Sequence, residues 1–235
     1  MNILKVFGER VAFHKQRPHR IEALSDGVFA IAMTLLVLDI RIPFGEMTTE
    51  THLWSALMHT LPKILTYVLS FSLAGQFWAV FMNQFNYIRT SDRNGNIIAV
   101  FYFLFVSLLP FSTSFLSEHL WSKVAVGFYV FNIFFIVLLA TLHWMYSYYA
   151  GLVQVEGNNR IVIHAAIMRL ARTALISYGL VFCLCFFSSH LALCITIFLQ
   201  IVFTFIGFID ILRAAWKKLL RPLDLAIATE VKVIE

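Results

Sequence analysis

Long apolar stretches alternate with short polar connections along the chain. A helix needs about 20 apolar residues to cross the hydrocarbon of a membrane. Four stretches without Asp, Glu, Lys or Arg exceed that length: 64–88, 94–117, 124–155 and 173–209. The last would form a helix ~55 Å long, so it predicts two spans with a turn at Ser188-Ser189-His190. The pattern therefore predicts five helical spans after residue 60.

A sixth apolar stretch, 27–38, lies nearer the N-terminus between Asp26 and Asp39. It is too short to cross a membrane alone, and extending it to 23–42 places Asp26 inside the membrane or at its edge. A carboxylate at that depth is costly in free energy and is a functional-site hypothesis by default. The first span is therefore the candidate functional helix.

Composition supports a membrane protein. Of the 235 residues, 60% are hydrophobic and 13% are charged, whereas soluble domains average about 45–50% and about 25%. This excludes a water-soluble enzyme or a disordered regulator. We predict a single all-α membrane domain over 1–235. Its spans are 23–42, 61–87, 96–117, 123–150, 172–189 and 191–212, followed by a cytoplasmic tail over 213–235.

The basic residues predict the orientation of these spans. With six spans, all but three of the 18 Lys and Arg residues fall at the termini or in the second and fourth connections. The exceptions are Arg41, Lys63 and Lys123. Because cytoplasmic connections are enriched in Lys and Arg, we expect both termini to be cytoplasmic. The net charge of +5 then concerns topology and anionic lipid, and no nucleic-acid partner is expected.

The few polar residues within the spans indicate helix packing more than catalysis. The sequence contains no His-Glu-x-x-His, no Gly-x-Ser-x-Gly and no Cys or His cluster at metal spacing, so we expect neither an enzyme nor a metal site. A Thr-Val-Gly-Tyr-Gly filter is also absent. Pro110 is expected to kink the third span. Interhelical hydrogen bonds are expected from Gln76, Asn132, His143 and Gln200.

A helical wheel divides the first span into two faces. With Asp26 at 0° and 100° per residue, one stripe about 100° wide consists of Ile31, Thr34, Leu35 and Leu38. We refer to these four residues as the Ile31 face. The opposite side consists of Phe29, Ala32, Met33 and Leu36. Ser25 and Asp26 lie off the Ile31 face and fit a buried polar network with Arg20 as counter-charge. Taken alone, an Ile/Leu stripe is more typical of core or lipid contact.

The start of this span carries a recognisable signature. Arg20 is followed by Leu24, Ser25 and Asp26, and this run resembles the Arg-x-x-x-Phe-Ser-Asp motif of the transmembrane protein 175 family, with Leu24 where Phe is usual. The resemblance extends to Ser70-Phe71, Phe77-Trp78 and 109–113. The family consists of potassium channels of bacteria, archaea and animal lysosomes.

The resemblance implies a potassium-selective channel of the single-repeat prokaryotic type, in the inner membrane. Such members are homotetramers whose four first helices line a central pore, with an apolar constriction that gates in place of a carbonyl filter. By motif position, Ile31 forms the narrowest ring, and the next pore-facing layers are Thr34, Leu35 and Leu38. The signature residues Arg20, Ser25 and Asp26 anchor the first helix through hydrogen bonds. No cofactor is implied, and K⁺ is the permeant ion.

From the residues alone, other classes stay open. One alternative is a secondary transporter or proton pathway that uses Asp26, although no inverted repeat is visible between the two halves. Another is a scaffold or partner subunit that does not conduct. An enzyme is the least favoured class, because no catalytic residues are visible.

Overall fold

The chain forms a bundle of helices. The structure, a computed structural model, describes residues 17–41, 50–154 and 159–204. Within them it contains no strand, and Ile88 and Val153 form an isolated bridge, so the all-α prediction is confirmed. The helices are α1 His19–Leu38, α2 Glu50–Phe85, α3 Arg93–Ser107, α4 Leu109–Glu118, α5 Lys123–Tyr149, α6 Asn159–Cys185 and α7, described over Ser189–Thr204.

Five segments of the described chain are long and apolar enough to cross a membrane: α1, α2, α3 with α4, α5, and α6. The helix α7 is apolar but shorter over the part that the structure describes. The end of the predicted sixth span, 191–212, and the predicted tail, 213–235, lie outside the described residues.

The first helix lies closer to the N-terminus than the predicted span 23–42. It begins at His19, after Pro18, and ends at Leu38. Proline suits a helix start, because its fixed φ is helical and the N–H it lacks would have no partner in the first turn. The carbonyl of Pro18 accepts the backbone N–H of Ile21 at 2.9 Å. With 20 residues, α1 is ~30 Å long, which matches the hydrocarbon thickness.

Two other helices begin before their predicted spans. The predicted starts were 61 and 172, whereas α2 begins at Glu50 and α6 at Asn159. The predicted starts rest on Lys63 and Arg172, which bound the charge-free stretches 64–88 and 173–209. They end a hydrocarbon crossing but are good helix formers, so the helix continues through them.

The third span is broken next to Pro110, as predicted. The helix α3 ends at Ser107 and α4 begins at Leu109, with Pro110 in the first turn of α4. Proline has no N–H to continue the hydrogen bonds of α3. The two helices are separated only by Leu108, whose backbone is itself helical (φ −81°, ψ −12°), so α4 follows α3 after a one-residue interruption.

The core brings α1, α2 and α3 together through aromatic rings. Tyr102 of α3 is fully buried and stacks on Phe81 of α2 with 4.4 Å between ring centroids. Its hydroxyl donates to the carbonyl of Phe77 at 3.1 Å. On its other side lies Phe29 of α1, with ring centroids 6.0 Å apart. The helix α5 lies centrally, against α2, α3, α4 and α6.

The polar residues predicted to join helices do so. The contacts are His143 Nδ1 to Gln84 Oε1 at 2.8 Å, Asn132 Nδ2 to Ser112 Oγ at 3.1 Å, Gln76 Nε2 to Thr204 Oγ1 at 2.6 Å, and Gln200 Nε2 to the Tyr129 hydroxyl at 2.9 Å. The prediction of interhelical hydrogen bonds is therefore confirmed for Gln76, Asn132, His143 and Gln200.

Candidate ion pathway

One face of α1 is packed against the rest of the chain. Its buried residues recur every three or four positions: Ile21, Ser25, Phe29, Ala32 and Leu36. They face α2, α3 and α4, the helices that contact α1. Three of the residues placed on this side by the helical wheel, Phe29, Ala32 and Leu36, are buried as expected, because the core covers a single side of a regular helix.

The Ile31 face points away from the other helices. Within the single chain, Ile31 is 61% exposed, Leu35 45% and Leu38 64%. Thr34 is exposed as well. From Ile31 to Leu38 the face extends ~10 Å along the helix axis. An apolar face that its own chain leaves uncovered is available to a pathway, to a second subunit or to lipid.

Thr34 provides the polar atom of this face. Its hydroxyl donates to the carbonyl of Ile31 at 2.9 Å. A hydroxyl has one hydrogen and two lone pairs, so this bond uses the hydrogen and leaves the lone pairs as acceptors. Thr34 therefore presents an oxygen that is able to coordinate a cation.

Asp26 lies at the boundary between the two faces. The indole Nε1 of Trp78, on α2, donates to its Oδ1 at 2.8 Å. We expected Asp26 to face helix packing, but in the single chain it is exposed. The reason is its position on the wheel, about 100° from the centre of the packed face at 100° per residue. The sequence points to Trp78 only through the family resemblance. No local pattern links Trp78 to Asp26, because the two residues are 52 positions apart.

The other two signature residues have different surroundings. Ser25 is fully buried, and its hydroxyl has no hydrogen-bond partner in the described part of the chain. Arg20 is exposed and forms no hydrogen bond or ion pair with another described residue. Within residues 17–41, 50–154 and 159–204, the three signature side chains thus do not bond to one another. Their common network stays a prediction.

A second carboxylate lies just beyond the other end of the Ile31 face. Asp39 accepts the hydroxyl of Ser114 at 2.6 Å on Oδ1. The Ser117 hydroxyl lies 3.3 Å from Oδ2 and shares its hydrogen with the nearer Ser114 carbonyl, at 2.8 Å. Both serines belong to α4. From the sequence, Asp39 marks only the end of the apolar stretch 27–38. Its role as a hydrogen-bond acceptor is not visible there, because Ser114 lies 75 positions away.

Two carboxylates lie at the ends of the Ile31 face, each with an arginine nearby in the sequence, Arg20 and Arg41. Asp26 and Asp39 are ~20 Å apart along the helix axis, with the Ile31 face between them. The carbonyl end of α1, next to Asp39, carries the negative end of the helix dipole. No group of three His, Cys, Asp or Glu residues suited to a metal ion occurs in the described part of the chain. A short apolar segment between two carboxylates is an arrangement that suits passage of a cation through a constriction gated by dewetting.

The chain is similar to proteins named as potassium channels. Residues 20–110 match the family described as "Endosomal/lysosomal potassium channel TMEM175". A protein of Chamaesiphon minutus named as a potassium channel is 30% identical over 192 residues, which cover 78% of this chain and 92% of that protein. Another so named, from Streptomyces collinus, is 39% identical over 101 residues, but the chain spans only 48% of its length.

Structural similarity covers more of the chain. The crystal structure of a homologue, from Chamaesiphon minutus, of the lysosomal potassium-selective channel TMEM175 superimposes with a TM-score of 0.70. It is 28% identical in sequence, and the match covers 80% of this chain and 96% of that chain. A human relative, 36% identical over 97 residues and matched over 19% of its length, is named as an endosomal/lysosomal proton channel.

Proposed function

We propose that this chain, which belongs to the TMEM175 family, is a potassium-selective channel that conducts K⁺ passively along a pathway lined by α1. The observation that carries the proposal is the Ile31 face, which is apolar, uncovered by its own chain and flanked by two carboxylates. The relatives named as potassium channels support the choice of ion.

The pathway requires more than one chain. A single α1 presents a face but cannot enclose a pore, so we propose a homotetramer in which four Ile31 faces surround a central axis. In this arrangement Ile31 forms the narrowest ring, and the further layers are Thr34, Leu35 and Leu38. The large exposed fractions of the three apolar residues fit this role, because neighbouring subunits would cover them.

Selectivity in this proposal comes from partial dehydration. An apolar ring closes the pathway when water leaves it. When the ring is wide enough for a partly hydrated cation, K⁺ passes at a lower cost than Na⁺, because it holds its water less tightly. The Thr34 oxygen replaces part of the lost hydration, and no cofactor takes part.

The signature residues are proposed to anchor α1 in the assembled channel. The Trp78–Asp26 bond already links α1 to α2. The unpartnered hydroxyl of Ser25 and the exposed Arg20 are groups that a completed network would use. For the remaining topology we propose cytoplasmic termini and a prokaryotic inner membrane, as the distribution of Lys and Arg predicts.

The direct test is K⁺ and Na⁺ flux in liposomes that contain the purified protein and an Ile31→Asn variant. A polar side chain should hydrate the constriction, so K⁺ flux should rise and the preference for K⁺ should fall. Ile176→Asn is the matched control, because Ile176 on α6 is 63% exposed, close to the 61% of Ile31, and lies far from α1 in sequence. It should leave both quantities unchanged.

Two results would contradict the proposal. A folded wild-type tetramer without flux would exclude the channel. Equal flux and selectivity in the Ile31→Asn and wild-type proteins would show that the Ile31 face does not line the pathway.

A proton pathway through Asp26 is the second candidate, and the name of the human relative is the observation that favours it. The same liposomes, loaded with a pH-sensitive dye, distinguish the two. Proton flux lost in Asp26→Asn, together with saturable K⁺ flux coupled to it, would support this candidate. Passive K⁺ flux that persists in Asp26→Asn would support the channel.

A further inference from the structure

We propose that Asp39, held by Ser114 and Ser117 of α4, fixes the position of the end of α1 that carries Leu38. The hydrogen bonds of this carboxylate thereby set the width of the pathway at its outer apolar layers, and Asp39 acts as a positioning residue. The inference rests on the proposed function, in which α1 lines the pathway.

The geometry of the contact supports the role. Asp39 follows directly after the last residue of α1, and the Ser114 hydroxyl donates to its Oδ1 at 2.6 Å. The Ser117 hydroxyl lies 3.3 Å from Oδ2 and makes the weaker contact, because its hydrogen also has the Ser114 carbonyl as acceptor at 2.8 Å. Hydroxyl bonds to a carboxylate are shorter and stronger than those between neutral groups. Since Leu38 precedes Asp39, a shift of the carboxylate moves the Leu38 side chain with it.

The helix α4 is itself held firmly on its other sides. Three contacts fix it to α2 and α5: Thr113 Oγ1 to Ser70 Oγ at 3.0 Å, Asn132 Nδ2 to Ser112 Oγ at 3.1 Å, and Lys63 Nζ to Glu118 Oε1 at 3.6 Å. Ser70, Ser112 and Asn132 are fully buried, where a hydrogen bond is costly to break. The Asp39 contact therefore joins α1 to a helix with a fixed position.

The attachment of the Leu38 end of α1 to α4 is separate from the aromatic contact that α3 makes with α1. The helix α4 contacts α2 and α5 as well as α3. Aromatic packing from α3, through Tyr102, meets α1 at Phe29, ten positions before Asp39. The Leu38 end of α1 thus has its own attachment.

The test compares a variant that removes the contact with one that removes the charge. Ser114→Ala with Ser117→Ala abolishes both hydroxyl bonds and keeps the carboxylate, whereas Asp39→Asn removes the charge and keeps an acceptor oxygen. Ser72→Ala is the matched control, because the Ser72 hydroxyl bonds only to the carbonyl of Val68 in its own helix, at 2.8 Å.

For the double serine variant we expect about a tenfold change in K⁺ flux, the size of effect that loss of a hydrogen bond to a charged group produces in an equilibrium. The K⁺/Na⁺ ratio should change as well. Ser114→Thr with Ser117→Thr retains the hydroxyls and should conduct like the wild type. If the double alanine variant fails to fold, Ser117→Ala alone removes the longer bond and should give a smaller change in the same direction.

A second readout does not depend on conduction. In a background of Cys183→Ala and Cys194→Ala, the two exposed cysteines, Leu38→Cys is treated with a water-soluble thiol reagent. Removing the two serine hydroxyls should change its modification rate, whereas Ser72→Ala should not. This measurement remains informative if the wild-type protein carries no flux, an outcome that contradicts the proposed function only.

Two results would overturn the inference. A double serine variant that matches the wild type in flux, ion ratio and modification rate would show that the contact does not position α1. Alternatively, only Asp39→Asn would lower the flux, and high salt would restore it. The carboxylate would then act by attracting cations, because salt screens such an effect.

Discussion

Replacing Trp78 with phenylalanine is expected to loosen α1 from α2. The substitution keeps an aromatic ring and removes the indole N–H that donates to Asp26 Oδ1 at 2.8 Å. A hydrogen bond to a charged group contributes about 1.5–3 kcal/mol to stability. Trp78 is 42% exposed and Asp26 is exposed in the single chain, so water competes for both groups. We therefore expect the free energy of unfolding to fall by about 1–2 kcal/mol, which is near or below the lower limit of that range.

The magnitude can be measured by thermal unfolding in detergent. For a chain of this size, 1 kcal/mol shifts the melting temperature by about 2–4 °C, so Trp78→Phe should lower it by about 2–8 °C. A double-mutant cycle with Asp26→Ala isolates the bond from the other effects of each substitution. Trp54→Phe is the control, because Trp54 is 64% exposed and has no hydrogen bond to another described residue.

The double-mutant cycle of Trp78→Phe and Asp26→Ala shows directly whether the hydrogen bond contributes to stability. If the bond holds α1 to α2, the two substitutions are not additive, and the coupling free energy should be about 1 kcal/mol. Additivity within about 0.3 kcal/mol would mean that the Trp78–Asp26 bond contributes nothing to stability. An equal loss in Trp54→Phe would attribute the effect to the indole ring itself.

Two further substitutions test the core. Tyr102→Ala should cost about 3–5 kcal/mol, because it empties a fully buried site. Tyr102→Phe, which removes only the bond to the Phe77 carbonyl, should cost about 1 kcal/mol by thermal unfolding; equal losses would contradict the packing. Gln84→Leu should cost about 1–3 kcal/mol, because it leaves the His143 imidazole without its partner in the interior. His143→Phe in that background should recover part of the loss, and no recovery would argue against the pair.

The division of α1 into two faces was predictable from sequence. A regular helix repeats every 3.6 residues, so the spacing of Phe29, Ala32 and Leu36 was enough to place them on one side, and they are buried together. Pro110 was equally informative, because the effect of proline on a helix is local. The interhelical role of His143 followed from the cost of a polar group without a partner in an apolar environment.

The partners of the two carboxylates of α1 were not predictable. Trp78 and Ser114 lie 52 and 75 positions from the aspartates that they bind, and no periodic pattern connects them. Such pairs depend on how the helices pack, which one sequence does not specify. Helix ends were missed for a different reason: absence of charge marks hydrocarbon, whereas hydrogen bonding marks a helix, and α2 continues past Lys63 to begin at Glu50.

The sparse packing of α6 has a consequence for how this chain can vary. Only 11% of the residues in its apolar window are buried within the chain, against 56% for α5. Most side chains of α6 therefore need to be apolar, but few need a particular shape, and exchanges among Leu, Ile, Val and Phe should cost little. Sequence identity is then expected to fade there while the backbone persists.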